Sequence, residues 1–557
     1  VDGTYNHANG TVVINNGGGG IDHAAIQAGV GNSTTGLYDL TISGGGTTCE
    51  IYGDTTIHRN MEAGGSTTVL RGSLTVNGAL TVAATLNTRF SSTDKNLTVA
   101  GHVSVDGTLT GNTSAISVGS MIINSGGTYS ATSAITTVTS ENASHAFRCS
   151  GGGTFTNNDG TLKIQTAAQT RLKMNGTGNV HNLTVNHASC QLHMESDSST
   201  TVEGNLTITA GEVRTYTEGN SQRTLTVTGH TEIGPGSGSA DQATLTCSDS
   251  PISLGSGITN QYGMIVNQGG TFVGGSGAHT IGSIKIVNST NAKCALTSGV
   301  TTLNGEHVSD NYIFTIEGAN GDDNFNHSSG TVTITRASDT RIRNAGAALA
   351  LNNLIINHAS AVITLASNGL TCAGNLTVTA GEFGTGADKA LTVTGATDVT
   401  GTLTLNDSTV SLGALRANSG AAITQGSSGT LELTSATAGN AAGFGDNYSF
   451  RNLDGTSDIN FGGTITISAA NYFEPRTAPD YASVINNVVW NDNHYWVGKM
   501  TFGGTLVVNA SKHMQTYNGS KDCIVTGDVT INGQLTALGN NVSAMTFGTL
   551  TIASGGT

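Results

Sequence analysis

The tripeptide Leu-Thr-Val, or a close variant, recurs along the chain at Leu40, Leu74, Leu97, Leu183, Leu206, Leu225, Leu376 and Leu391. In an extended backbone successive side chains point to opposite faces, so Leu and Val share one face and Thr takes the other. A stripe that short cannot bury itself; it becomes stable when the next copy stacks on it. Close copies stand 23, 23, 19 and 15 residues apart, which is room for two or three short strands joined by tight turns. Gly or Asn flanks most copies, as tight turns require. At roughly 20 residues per coil the chain makes about 28 coils. The fold class this predicts is all-β: a right-handed parallel β-helix (β-solenoid) rod with negligible helix.

A second period lies above the coil. "GTYNHANGTVVI" from Gly3 is matched by "GTFTNNDGTLKI" from Gly153 and "DNFNHSSGTVTI" from Asp323. Each is followed in the same order by an Asn/Asp-Leu strand, a Gly-Asn-Leu-Thr type strand and a Leu-Thr-Val-Thr-Gly type strand. A fourth unit begins near "GDNYSFRNLDGTSDINFGGTITI" from Gly445. The units are placed at 1–139, 140–308, 309–444 and 445–557, the last partial, so the sequence is expected to sample a longer repetitive polypeptide. Within this order "NLTVNHAS" (Asn182 to Ser189) returns as "NLIINHAS" (Asn353 to Ser360). The apolar positions recur in every unit but the histidines do not, since Ser43 stands where the others have Asn before His. The motif is therefore expected to be scaffold and not a duplicated site.

Composition narrows the class. With 78 Gly among 557 residues and 11% charged, the chain would suit disorder, but its hydrophobic residues reach 36% and alternate, which disordered segments do not. The net charge of −15 is spread thinly; a chain without a basic stripe is not expected to bind nucleic acid. No 18-residue apolar run exists, so no membrane span is expected. Seven isolated cysteines form no CxxC pair and read as small buried hydrophobes. Thiols left unpaired favour folding in a reducing compartment and exit by a route other than an oxidising one. No signal peptide is visible.

Each candidate for chemistry has a plainer reading. His181, His187, Cys190 and His193 are zinc-type ligands within 13 residues, but their spacing fits no zinc motif and the next unit has Asn352, His358, Ala361 and Thr364. "GGGGID" (Gly17 to Asp22) fits a calcium repeat once, where tandem copies are needed. "GDDN" (Gly321 to Asn324) reads as a turn. "TRLK" (Thr170 to Lys173) and "TRIR" (Thr340 to Arg343) recur at equivalent places and put two basic residues on one strand face. Thr-x-Thr pairs are interrupted by Ser, Asn, His and Lys, unlike an ice-binding array. Carboxylates are dispersed. No catalytic residue, metal site or cofactor is assigned.

One region breaks the repeat. Asn471 to Met500 holds both tryptophans and two of the four prolines. Tyr472, Phe473, Tyr481, Trp490, Tyr495 and Trp496 are expected to form an aromatic contact patch on a projecting excursion, facing a partner chain or a glycan. The alternative is a packed brace.

The ordered series G-T-[FY]-N-H-x-x-G-T-V-x-I, N-L-[TI]-[VI]-N, G-N-L-T-[VI]-T-[AS]-G and A-L-T-V-T-G resembles the long repeats of microbial surface and adhesin-like proteins. It also resembles large structural proteins of marine bacteriophages. The resemblance covers nearly the whole chain and implies a non-enzymatic fibre. Its partners would be other structural chains, in a homo-oligomer or fibre assembly, or a host-surface glycan or receptor. The expected function is a virion appendage or tail fibre on the virion surface. A bacterial cell-surface adhesin or autotransporter-like passenger is the alternative, and a polysaccharide-cleaving β-helix enzyme the third.

Overall fold

The computed structural model describes residues 9–15, 24–27, 37–45, 48–65, 67–197, 199–217, 221–237, 242–319, 324–435, 438, 447–453, 456–469, 472–476, 484–517, 522–536 and 545–557. Ala319 and Ala438 are helical; the other described residues form strands, bridges, turns, bends and irregular backbone. Strand stacks on strand in parallel, and the fold is a β-solenoid of about 21 turns with about 22 residues per turn. The coil is longer, and the turns fewer, than Leu-Thr-Val spacing predicts. The reason is that one coil carries the motif on more than one face. Leu74 and Leu80 each begin a Leu-Thr-Val, and on the next coil Leu97 stacks on Leu74 while Val103 stacks on Leu80. No described helix is long and apolar enough to cross a membrane.

The chain divides into two compact units. The first comprises residues 1–256, 263–277 and 291–294; the second comprises 257–262, 278–290 and 295–557. In the first unit an inward row passes from coil to coil through Leu40, Met61, Leu80, Val103, Met121, Phe147, Leu172 and Met194. All are buried. A separate seven-stranded parallel sheet runs from Ala24–Gln27 to Thr154–Thr156. In the second unit the row reads Val332, Leu354, Leu376, Thr397, Leu415, Phe450, Phe473 and Trp496. Each buried aliphatic side chain in such a row contributes about 1.5–3 kcal/mol through lost water contact. That contribution exists only when the adjacent coil is in register.

The Asn that precedes several of these Leu-led strands has a structural task. Asn182 Oδ1 accepts the Asn205 amide N–H at 2.9 Å, and Asn205 Oδ1 accepts that of His230 at 3.0 Å. Asn353, Asn375 and Ala396 repeat the pattern in the second unit, at 2.8 Å for both steps. Each side-chain oxygen satisfies a corner N–H that the sheet ladder leaves over.

"NHAS" is a second corner device. The strand Asn182–Met194 pairs along both halves, but five residues after Asn186 face only two after Ala210. The strand Asn353–Leu365 bulges at the same place. In both, the imidazole Nδ1 accepts the N–H two residues on: Ser189 to His187 and Ser360 to His358, each at 3.2 Å. Across the bulge stand Gly211 and Gly381, at φ +91° and +83°. A Cβ on Gly381 would come within 2.4 Å of the His358 carbonyl oxygen, and one on Gly211 within 2.5 Å of that of His187. The repeated motif is thus a corner of the scaffold.

Candidate functional site

The aromatic segment is in the coil and not beside it. Its described strands Tyr472–Glu474, Val484–Trp490 and His494–Trp496 all pair in parallel with neighbouring coils. Trp490 sits between Ile467 and Val508, and Trp496 stacks on Phe473. Both indoles and Phe473 are 0% exposed. The expectation that the tryptophans face outward is therefore corrected: they occupy the apolar rows filled elsewhere by Leu, Val and Ile. The Trp490 ring meets Phe473 edge-on at 6.0 Å and lies 5.9 Å from the His494 ring. Tyr472 and Tyr495 are half-buried and face out; Tyr481, Asn471 and Pro479 lie outside the described residues.

The outward strand faces are where the copies differ, although His145 and His193 on them are buried. Three positions correspond by register. In the copy that begins near 140 they are His145, Arg171 and His193. In the copy near 309 they are Tyr312, Arg341 and Thr364. In the copy near 445 they are Tyr448, Tyr472 and Tyr495. A register shift follows the first of them every time, between His145 and Phe147, Tyr312 and Phe314, and Tyr448 and Phe450. The inward partners stay apolar in all three: Phe147, Leu172 and Met194; Phe314, Ile342 and Leu365; Phe450, Phe473 and Trp496. An apolar core thus persists beneath outward-facing positions that change from copy to copy.

In the first of these copies the surface is ionic. Glu195 Oε2 lies 2.9 Å from Arg171 Nε and 3.9 Å from His145 Nε2, while Lys173 Nζ is 4.0 Å from Oε1. Lys173 also reaches Asp197 at 3.5 Å. Burial holds His145 below its ordinary imidazole value, against the raising influence of the Ala143 carbonyl and Glu195. Arg214 pairs with Glu212 at 2.6 Å. In the last copy the surface is aromatic. Tyr472 packs on Tyr448 at 5.3 Å, on Tyr495 at 6.0 Å and on Tyr517 at 4.7 Å. Arg451 covers the Tyr448 ring at 4.7 Å. Glu474 beneath is shared by Arg451 at 3.4 Å and Arg476 at 2.9 Å. Each of these carboxylates is paired with an arginine or lysine.

The histidine–cysteine group of the sequence is dispersed. His181 sits 3.6 Å from Asp159, and His187 accepts from Ser189. Cys190 is buried beside Thr166 Oγ1, and His193 lies 3.0 Å from the Tyr216 carbonyl oxygen. Among the described residues no three His, Cys, Asp or Glu side chains gather as a metal site. "GGGGID" and residues 321–323 of "GDDN" lie outside the described residues. All seven cysteines are buried and unpaired. Sequence reading named Tyr472 and Tyr495 but missed Tyr448 and Tyr517 and the column they form, because Tyr448, Tyr472 and Tyr495 are 24 and 23 residues apart and only the coil length brings them together. No family model, curated protein or solved structure matches the chain.

Proposed function

We propose that the chain is a non-enzymatic structural fibre protein of a bacteriophage virion, a tail-fibre or other appendage component used for extension, assembly or host attachment. The observation that carries the proposal is the constant apolar interior beneath a surface that changes from copy to copy. Stacked coils extend in one direction, each turn of about 22 residues adding about 4.8 Å, and the outward positions offer contacts to other structural chains or to a host-surface glycan or receptor. The tyrosine column Tyr448, Tyr472, Tyr495 and Tyr517 is the contact surface for assembly, since tyrosine combines a large apolar face with a polar tip. Seven buried thiols without a disulfide support folding in a reducing cytosol, from which virion proteins leave by lysis. The alternative is a cell-surface adhesin, which the same repeats would serve.

Immunogold labelling with antibody raised against the purified chain tests this. Gold on phage particles is the expected result; gold on cell envelopes with bare virions would overturn the virion reading in favour of the adhesin. Release of reducing ends from neutral or acidic polysaccharides by the purified chain would overturn the non-enzymatic part.

A further inference from the structure

The two basic strand motifs have different fates. Arg171 and Lys173 are answered within the chain by Glu195 and Asp197. Arg341 and Arg343 occupy the same register: Arg341 faces Thr364 and Ile342 faces Leu365, as Arg171 faces His193 and Leu172 faces Met194. The residues after Leu365 are Ala366, Ser367 and Asn368, where Met194 is followed by Glu195, Ser196 and Asp197. Both acids are thus replaced by uncharged residues. Neither arginine forms an ion pair with any described carboxylate, although Asp339 lies two residues before Arg341 on the same strand face. Arg341 is exposed, and Arg343 is held over the Tyr312 ring, 5.6 Å from its centroid. Thr315, level with Arg343 and 1% exposed, has a hydroxyl with no partner.

We infer that Arg341 and Arg343, with Tyr312, form a binding site for the carboxylate of an acidic polysaccharide. The other copy shows what the site takes, because there a carboxylate of the chain itself fills the place. Guanidinium groups match carboxylates in charge and in planar donor geometry. The half-buried Tyr312 ring beside them supplies an apolar face for a sugar ring, and Thr364 supplies a hydroxyl next to Arg341. An acidic protein segment would use the charge but not the ring. The inference rests on the attachment reading proposed above, yet its test is separate, since immunolabelling and saccharide binding can fail independently.

The intact chain is titrated calorimetrically with oligogalacturonate, with its methyl ester and with a poly-glutamate peptide. Oligogalacturonate is expected to bind with an affinity that falls as salt rises, and the ester, which keeps the sugar and loses the charge, is expected not to. Arg341→Gln with Arg343→Gln should weaken binding by about tenfold or more. Ala366→Glu with Asn368→Asp should abolish it while leaving both arginines in place, because the chain then fills its own site. An unchanged circular dichroism spectrum checks that each variant folds. No binding by the unaltered chain, equal binding of the ester, or equal binding by both variants overturns the site. Tighter binding of poly-glutamate than of oligogalacturonate overturns the saccharide assignment.

Discussion

Trp490→Ala tests whether the aromatic segment belongs to the core. Burying an indole removes about 150–250 Å² from water, which at about 25 cal/mol/Å² amounts to roughly 4–6 kcal/mol. The Trp490 indole N–H is buried without a hydrogen-bond partner, which offsets about 1–3 kcal/mol of that. Truncation also leaves a cavity between Ile467, Val508 and Phe473. The net expectation is a loss of about 3–5 kcal/mol, as for other buried Trp→Ala changes. Trp490→Phe keeps most of the ring, discards the unpartnered N–H and should cost much less. The chain has two tryptophans, so each single variant leaves one reporter. Urea unfolding followed by the remaining Trp496 emission reads the coils next to the change, where nearest-neighbour coupling concentrates the damage. Tyr495→Ala, on the outer face, serves as the control and should stay within about 1 kcal/mol. A Trp490→Ala chain as stable as the original, with native tryptophan emission already that of a water-exposed indole, would refute the buried assignment.

Three further outcomes follow from named contacts. Burial pushes the Cys49 thiol up to about 11 and those of Cys294, Cys372 and Cys523 to about 12; a disulfide reagent should leave the native chain almost untouched and titrate all seven thiols only in denaturant. His494 is held down at about 4 by burial, and further by Lys512, against the raising influence of Asp492, while its ordinary value is 6.5. Below 6.5 the unfolded chain takes up a proton that the folded chain refuses until about 4, so stability should fall with pH across that window by about 3 kcal/mol. His494→Gln should flatten this part of the pH–stability profile, and an unchanged slope would count against it. Gly381→Ala forces a Cβ into the His358 carbonyl at φ +83° and should lower stability by about 1–3 kcal/mol, whereas Ala359→Gly, at an exposed bulge position, should cost under about 1 kcal/mol; thermal unfolding separates the two.

The phenylalanines show how far a one-dimensional reading reaches. Phe147 and Phe155, Phe314 and Phe325, and Phe450 and Phe461 each meet edge-on, at 5.2, 5.4 and 5.7 Å. Phe155 stands in the recurring G-T-F word and Phe325 and Phe461 in N-F words, yet nothing in those words names the partner on the preceding strand. The same holds for Arg341 and Arg343: their recurrence was visible, but not that Glu195 and Asp197 answer the first pair. The tryptophans misled because an uncommon residue outside the repeat pattern reads as an insertion. Phe473 and Trp496 in fact continue the row that Leu354 and Leu376 begin.

Alternation of Leu, Thr and Val, the Gly and Asn at the corners, and the ordered return of longer words determined by themselves that this chain is all-β and built of parallel stacked coils. They could do so because period-two burial and corner hydrogen bonding are local requirements, met residue by residue. Only the tertiary structure decided the coil length, the inward course of Trp490 and Trp496, and the grouping of Tyr448, Tyr472 and Tyr495 into one column. Those depend on register between coils some 22 residues apart, and a slip of one residue in a strand exchanges its buried face for its exposed one.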